Sequence, residues 1–233
     1  MTLRAEQLGE TVVDFFFPPR CLGCGKTGSF LCDSCCHRLP RIFPPICNRC
    51  GRPESTGTFC PACWGWQSHI DGIRSPFRFD GVIRKAVHEL KYRNLRAMAG
   101  QLASLLFHYL ETNPITGDLL VPVPLHSRRL RERGYNQSSL IAKELSKLTL
   151  LPVTEGCLTR VKNNPPQART TSADQRQLNV ADAFACTDQR LHGKRVILID
   201  DVCTSGATLE ACATALKSAG ASSVWGLTLA RDT

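Results

Sequence analysis

Four pairs of cysteines, each with two residues between its members, form the clearest chemical pattern in the sequence. The pairs are Cys21 and Cys24, Cys32 and Cys35, Cys47 and Cys50, and Cys60 and Cys63. Two such pairs supply the four thiolates that a tetrahedral structural zinc ion takes. The surrounding letters also repeat, because CLGCGKTGSFLC is followed by CNRCGRPESTGTFC. The spacing therefore predicts one or two structural zinc ions bound by these eight cysteines.

The repeat favours zinc sites made by neighbouring pairs, so that each half of the segment holds its own ion. Pairing across the halves, of the first cysteine pair with the third, stays open. Cys36 and His37 are further possible ligands beside the second of these Cys-x-x-Cys turns, which we call knuckles. A zinc ion with four cysteine ligands has no open position for a substrate. We therefore expect these ions to fold the segment and not to catalyse.

A second pattern lies near the end of the chain, where VILIDDVCTSGATL runs from Val196 to Leu209. An apolar strand leads into two acids, a loop of small residues follows, and a helix comes next. Ligands bind at the carboxyl ends of strands in open α/β sheets, and a helix N-terminus offers free N–H groups to a phosphate. The residues expected to cradle a monophosphate are Thr204, Ser205, Gly206, Ala207 and Thr208.

The two acids must have a different role in ligand binding, because carboxylates beside a phosphate loop would repel an anion. Asp200 and Asp201 can accept hydrogen bonds from the 2′ and 3′ hydroxyls of a ribose, while Mg²⁺ bridges those hydroxyls and a pyrophosphate. The pattern predicts a site for a ribose 5-phosphate. Its resemblance to the binding motif of type I phosphoribosyltransferases implies that the ligand is 5-phosphoribosyl 1-pyrophosphate (PRPP), bound together with Mg²⁺. Asp200 and Asp201 are the candidate catalytic residues.

A cluster of arginines follows the predicted strand that ends in VPVP. Its members are Arg128, Arg129, Arg131 and Arg133. Guanidinium groups suit a ligand with several phosphate charges, because they bind phosphate in bidentate geometry. We expect this loop to hold the pyrophosphate of PRPP. The alternative is the solvent-exposed start of a basic helix.

The elements that must position these residues follow from apolar periodicity. Helical spacing recurs in four segments, 82–90, 95–109, 138–148 and 207–219. Buried strands are predicted for three apolar runs, 119–123, 196–199 and 224–230. Because strands alternate with helices, the fold class is α/β with a parallel sheet. Residues 163–179 lack apolar period and suggest a mobile loop or lid.

The length of 233 residues allows one α/β core with a small appendage. Nine of the 13 cysteines lie between Cys21 and Cys63, so we place a boundary near residues 68–72. The expected domains are a zinc-ribbon segment at 1–70 and a phosphoribosyltransferase-like domain at 71–233. The first 20 residues fit neither a signal peptide nor a membrane span, which predicts a cytoplasmic protein without membrane insertion.

The formal net charge of +9 suggests an anionic partner. The excess centres on residues 121–180, which hold ten Lys and Arg against four Asp and Glu. We expect single-stranded DNA to bind the basic surface of residues 128–176, although a merely solvated basic face has the same composition. Phe59, Trp64 and Trp66 beside the last knuckle fit nucleic-acid contact and local packing equally well.

Taken together, these motifs resemble the ComF family. They are the zinc ribbons, HELKYRN at 88–94, VPVPL at 121–125, RERGYNQ at 131–137, LNVADAF at 178–184 and the loop after the two acids, which resembles the PRPP motif of type I phosphoribosyltransferases. The resemblance spans residues 21 to 230. It implies a parallel sheet with a small hood, Mg²⁺-dependent PRPP binding and displacement of pyrophosphate at the anomeric carbon. It also implies a role in natural transformation or DNA utilisation, alongside other DNA-uptake proteins.

The acceptor of such a transfer stays open. Transferases that act on oxopurines carry a carboxylate where this chain has Thr204, and a hydroxyl cannot take a proton near neutral pH, which disfavours purine salvage. The alternative to an enzyme is a non-catalytic competence factor that senses PRPP and binds single-stranded DNA or a partner protein.

Overall fold

The structure is a computed structural model that describes residues 18–65, 68–93, 95–161 and 183–232. The helices are α1 (Asp33–His37), α2 (Gly81–Tyr92), α3 (Ala99–Thr112), α4 (Ser127–Arg133), α5 (Gln137–Thr149) and α6 (Ala207–Ser218). The strands are β1 (Gly72–Arg74), β2 (Phe77–Arg78), β3 (Leu119–Pro122), β4 (Leu158–Arg160), β5 (Phe184–Cys186), β6 (Arg195–Cys203) and β7 (Ser223–Arg231). Short 3-10 helices lie at Pro61–Cys63, Arg96–Met98 and Gln189–Leu191.

The main sheet is parallel, which confirms the predicted α/β fold class. Its order is β1-β7-β6-β3, with β2 also paired to β7. The central strands β6 and β7 are covered on both faces, as their continuous apolar runs require. On one face lie α2, α3 and α5, and on the other lies α6 with the antiparallel pair β4 and β5.

Strand β6 is longer than its apolar run. It continues through Asp200 and Asp201 to Cys203, because the backbone stays paired with β7 as far as Cys203 and Arg231. Aspartate has a low intrinsic preference for strands, but the backbone pairing with β7 keeps these residues in the strand. The two acids therefore lie within the strand and not beyond its end.

The arginine segment also differs from the expected loop. Residues Ser127–Arg133 form α4, which begins where the His126 ring accepts a hydrogen bond from the Arg128 N–H at 3.2 Å. It ends at Gly134, whose φ of 77° suits the residue after a helix. The backbone of this segment is therefore a short helix, and its role in holding pyrophosphate stays a prediction.

The cysteine-rich segment packs onto the main core. Leu31 and Leu39 are buried in the same cluster as α2 and α3, and the Gln101 side chain bonds both backbone groups of Leu31. A backbone bridge also joins Arg41 to Phe77 of β2. The division into 1–70 and 71–233 remains a prediction, and contacts of this kind connect the two parts.

Three expectations concern residues that the structure does not describe. The predicted lid at 163–179 and most of LNVADAF lie outside the described residues, as does Trp66. None of the helices in the described ranges is long and apolar enough to cross a membrane.

Candidate functional site

The eight paired cysteines form two clusters, each made by neighbouring pairs. One contains Cys21, Cys24, Cys32 and Cys35, and the other contains Cys47, Cys50, Cys60 and Cys63. Within each cluster the sulfur atoms lie within 4.8 Å of one another. The structure thus groups the cysteines as the internal repeat favours, and Cys36 and His37 belong to neither cluster among the described residues.

The sulfur positions fit tetrahedral zinc. Ligation at about 2.3 Å places two thiolates about 3.8 Å apart. The sulfurs of Cys24 and Cys32 are 3.6 Å apart, and those of Cys50 and Cys60 are 3.7 Å apart. These residues would hold one structural zinc ion per cluster.

The two knuckle turns repeat each other in their hydrogen bonds. In the first turn the Gly25 N–H donates to the Cys21 carbonyl at 2.8 Å, and in the second the Gly51 N–H donates to the Cys47 carbonyl at 2.9 Å. Both glycines have positive φ, 77° and 71°, which tight turns around a metal demand. The sequence repeat therefore encodes a structural repeat.

The first thiol of each cluster has a lowered pKa. Burial opposes the charge on Cys21 and Cys47, but backbone N–H groups, including those of Cys32 and Cys60, donate to their sulfurs and lower each pKa to about 6. A thiolate is the form that binds zinc. Both clusters thus offer a ready ligand near neutral pH.

Asp200 is the first acid of the predicted PRPP site. Its Oδ1 accepts hydrogen bonds from the Ser138 hydroxyl on α5 and from the Asp201 N–H, both at 2.9 Å. Burial and the neighbouring charge of Asp201 raise the pKa of Asp200 to about 7, against the smaller opposing effects of Lys91 and Ser138. The carboxyl group therefore titrates close to physiological pH, as groups at functional sites often do.

Asp201 is held differently, by an ion pair. Lys91, at the end of α2, places its Nζ 2.9 Å from Oδ1 of Asp201. The other oxygen, Oδ2, is buried and accepts no hydrogen bond from any described residue. A buried carboxylate oxygen without a partner costs free energy, so it is suited to accept a hydrogen bond from a ligand.

The loop from Thr204 to Gly206 turns β6 into α6. Gly206 has a φ of 86° and precedes the first residue of the helix, Ala207, whose N–H donates to the Ser205 hydroxyl at 3.4 Å. The first N–H groups of a helix have no partner within the helix, and they carry its positive dipole end. The hydroxyls of Thr204, Ser205 and Thr208 lie in the same short stretch, which leaves a compact group of donors for a phosphate.

The four arginines are not equivalent. A cavity of about 430 Å³ lies between the end of α2 and α4, and it is lined by Lys91, Tyr92, Arg129, Glu132, Arg133 and Tyr135. Arg128 instead pairs with Glu132 at 2.8 Å, and Arg131 is exposed and does not line this cavity. Only Arg129 and Arg133 therefore share a cavity with the lysine that holds Asp201.

The RERGYNQ segment ties this cavity to the rest of the site. The Tyr135 hydroxyl donates to the Leu90 carbonyl at the end of α2. The Asn136 side chain donates to the Val123 carbonyl after β3 at 2.9 Å, and its Oδ1 accepts from the Ser138 N–H at 3.0 Å. These bonds place α5, and with it Ser138, against Asp200.

Three residues of the site were missed by the reasoning from sequence. Lys91 stood in a family motif without an assigned role, Ser138 appeared only as the start of a helix, and Arg160 was not singled out. Arg160 lies on β4, where burial and then the charge of Arg129 lower its pKa, while Asp200 acts in the opposite direction. Its Nε is buried without a hydrogen-bond partner among the described residues. A basic residue in a short strand gives no signal in the sequence that distinguishes it from a surface arginine.

Two family models match separate parts of the chain. The model of a double zinc ribbon domain matches residues 12–64, and that of a phosphoribosyl transferase domain matches residues 138–232. The first match contains both cysteine clusters, and the second contains the two acids and the loop that follows them.

Similar relatives extend over most of the chain. Competence protein ComFC of Bacillus subtilis is 31% identical, over 89% of this chain and 86% of its own. Competence protein F of Haemophilus influenzae is 29% identical, over 91% of this chain and 97% of its own. DNA utilization protein YhgH of Escherichia coli is 28% identical, over 82% of this chain and 86% of its own. The chain therefore belongs to the ComF family, with a phosphoribosyltransferase-type sheet and an N-terminal double zinc ribbon.

Proposed function

We propose that the protein binds PRPP with Mg²⁺ and transfers its phosphoribosyl group to an acceptor that is still unknown, in DNA uptake or DNA utilisation. The observation that carries the proposal is the unpartnered Oδ2 of Asp201 beside an acid that titrates near neutral pH, directly before a loop of phosphate-binding type. The names of the relatives supply the cellular setting. Free thiols survive in a reducing compartment, so we also propose a cytoplasmic location.

Each part of the site would take one part of the ligand. The loop from Thr204 to Thr208 would bind the 5-phosphate through backbone N–H groups and hydroxyls. Asp200 and Asp201 would accept hydrogen bonds from the ribose hydroxyls and so fix the anomeric carbon. Arg129 and Arg133 would hold the pyrophosphate, and Mg²⁺ bound with PRPP would neutralise the charge of that leaving group.

Calorimetric titration of PRPP with Mg²⁺ tests the assignment of the acids. The variant with both Asp200→Asn and Asp201→Asn should keep its fold and lose most of its PRPP affinity, because the carboxylates act on the ribose and the metal. The matched control is Asp188→Asn, an acid paired with Arg190 away from the site. Unchanged affinity in the double variant would remove the proposed site.

Turnover separates the enzyme from the sensor. An enzyme releases pyrophosphate from PRPP when an acceptor is supplied, whereas a sensing protein binds PRPP and leaves it intact. Incubation with cell extract, followed by detection of pyrophosphate, distinguishes the two, and the double Asp variant serves as the blank. Intact PRPP in the presence of proven binding favours the non-catalytic competence factor.

Binding of single-stranded DNA is a second candidate function, which a strip of residues along α2 favours. In this α2 strip, three rings lie between two arginines, in the order Arg84, Phe79, His88, Tyr92 and Arg133. The Arg84 guanidinium lies 6.0 Å from the Phe79 ring centroid, and the Phe79 and His88 rings are 6.4 Å apart. The His88 and Tyr92 rings are 5.6 Å apart, and the Arg133 guanidinium lies 5.3 Å from Tyr92.

The α2 strip has the chemistry of a single-strand platform. Tyr92 is 69% exposed, so its ring is available to a base. Stacking of a base on an aromatic side chain contributes about 1 to 3 kcal/mol, and basic groups follow the phosphates. The strip shares Arg133 with the basic segment 128–176 and ends at the cavity of the proposed PRPP site, which supports partial competition between PRPP and DNA.

A fluorescence titration with a labelled oligonucleotide tests this second function. Affinity should fall with salt, with a slope of about −0.7 per neutralised phosphate. Tyr92→Ala should weaken binding about tenfold, whereas Trp64→Ala, which removes a 73% exposed ring from the zinc segment, should not. Loss of binding in the Trp64 variant alone would move the DNA site to the zinc ribbon.

A further inference from the structure

Arg231 is a buried cation that the proposed chemistry does not use. It is the last residue of β7, and only 1% of it is exposed. Its Nε has no hydrogen-bond partner, and no carboxylate pairs with it in the part of the chain that the structure describes. A buried charge without an ion-pair partner is costly, so its position demands a reason.

The guanidinium group joins the second zinc cluster to the phosphate loop. Nη1 donates to the Cys50 carbonyl at 2.6 Å and lies 3.1 Å from the sulfur of Cys203. Cys50 belongs to the second cluster, and Cys203 is the residue directly before Thr204. A zinc ion with four thiolates carries a charge of about −2, which offsets the buried cation.

A second route runs from the same knuckle through β1. The Ile73 N–H donates to the Arg49 carbonyl at 2.6 Å. A Cβ on Gly51 would lie 2.4 Å from the Ile73 carbonyl oxygen, so only glycine permits this close approach. On the other side, the Cδ1 of Ile73 lies 3.1 Å from the position of a Cβ on Gly206. The turn at Cys47–Gly51 therefore supports the phosphate loop at two points. It reaches Cys203 through Arg231 and Gly206 through Ile73.

We infer that the second zinc site holds the phosphate loop in its binding conformation, with Arg231 as the positioning residue between them. Loss of zinc from the second cluster loosens the loop and weakens phosphate binding. By thermodynamic reciprocity, a ligand in the loop raises the zinc affinity of that cluster and so lowers its zinc-free fraction. The first cluster has no such connection among the described residues, so the two zinc ions differ in function.

The first experiment uses no ligand. Hydrogen exchange of full-length, zinc-loaded protein should show faster exchange in residues 203–208 of the Arg231→Met variant, by about tenfold. Arg231→Lys, which keeps the charge and one donor, should give an intermediate rate. The matched control is Arg38→Met, because Arg38 donates to the sulfur of Cys35 in the first cluster at 3.6 Å. Unchanged loop exchange in Arg231→Met, or equal acceleration throughout the chain, would overturn the inference.

The second experiment needs no variant and therefore no assumption that Arg231→Met folds. Thiol alkylation of the wild-type protein, with peptide mass spectrometry, measures zinc loss at each cluster separately. Saturating PRPP should slow alkylation of Cys47, Cys50, Cys60 and Cys63 about tenfold and leave the first cluster unchanged. Equal rates with and without bound PRPP would contradict the coupling.

The inference rests on the proposed function for its ligand, and the two can fail separately. Absence of PRPP binding in the wild-type protein would reject the proposed function. The exchange experiment would then still decide the connection between Arg231 and the loop.

Discussion

Asp200 and Asp201 are neighbours in one strand, yet their side chains meet different surroundings. Asp200 accepts hydrogen bonds from a hydroxyl and a backbone N–H, whereas Asp201 faces the ammonium group of Lys91. Burial and the charge of Asp201 raise the pKa of Asp200 to about 7. At physiological pH the Asp200 carboxyl group is therefore protonated in a substantial fraction of the molecules. A ligand that needs two carboxylates must displace that proton.

PRPP affinity should therefore rise with pH through the pKa of Asp200. Below about pH 7 the acid is protonated and cannot accept from the ribose as a carboxylate, and well below the pKa the ionised fraction falls about tenfold per pH unit. Calorimetry from about pH 5.5 to 8.5 measures this, with Asp200→Asn as the variant that should lose the dependence. A flat profile in the wild-type protein would show that the ionised form is not required.

The ion pair between Lys91 and Asp201 should matter to stability. Its carboxylate is 4% exposed and its lysine 21% exposed, so Lys91→Met leaves a buried charge without its partner and should lower the free energy of unfolding by about 2 to 4 kcal/mol. The control is Lys143→Met, whose pair with Glu155 is exposed and should contribute less than about 1 kcal/mol. Equal losses in urea unfolding would mean that burial of the acid has no energetic consequence.

At the scale of elements, the turn from β6 into α6 determines the site. The strand ends, the chain reverses over a few small residues, and α6 begins at Ala207 with its N–H groups directed to the loop. Gly206 suits this turn in two ways, because its φ is 86° and because an added Cβ would lie only 3.1 Å from the Cδ1 of Ile73.

Gly206→Ala should separate these two costs. A positive φ alone costs an alanine about 1 kcal/mol, and Gly193→Ala, which has a φ of 71° and open space around it, measures this part. Gly206→Ala should cost about 1 kcal/mol more and should also weaken PRPP binding, since the added Cβ meets Ile73 at 3.1 Å. Thermal unfolding and calorimetry of both variants check the prediction, and identical behaviour would contradict it.

The strong periodic elements of the fold could be predicted from the sequence. The helices at 137–149 and 207–218 and the strands of the sheet centre begin and end within a few residues of their expected positions. Strands β1, β2, β4 and β5 have only two or three residues, so they carry no period, and contacts with distant residues create them. In the site, the acids and the loop were evident from their order, whereas Lys91 and Arg160 arrive from other elements. Only tertiary structure brings such residues together.

At the level of the whole molecule, the zinc ribbon packs against the main domain. Leu31 and Leu39 are buried with the helices of the main domain, and the second knuckle contacts β1 and β7. Since so short a segment cannot form a core without its metal, zinc should stabilise the entire chain.

Removal of zinc should therefore lower the stability of the whole protein. Elemental analysis should give about two zinc ions per chain, one for each four-cysteine cluster. Treatment with a strong chelator should shift the single thermal transition to lower temperature, and circular dichroism should report the loss in the helices of the main domain. A metal-free protein with an unchanged transition would contradict the role of both clusters.

We propose that one site, formed by Asp200, Asp201 and the loop from Thr204 to Thr208, binds the ribose 5-phosphate of PRPP. A crystal structure of the protein with PRPP and Mg²⁺ tests it most directly. We expect the 5-phosphate within about 3 Å of the backbone N–H groups of Gly206 and Ala207, and the ribose hydroxyls within hydrogen-bond distance of the two acids. A ligand bound elsewhere, or a phosphate loop left empty at saturating PRPP, would contradict it.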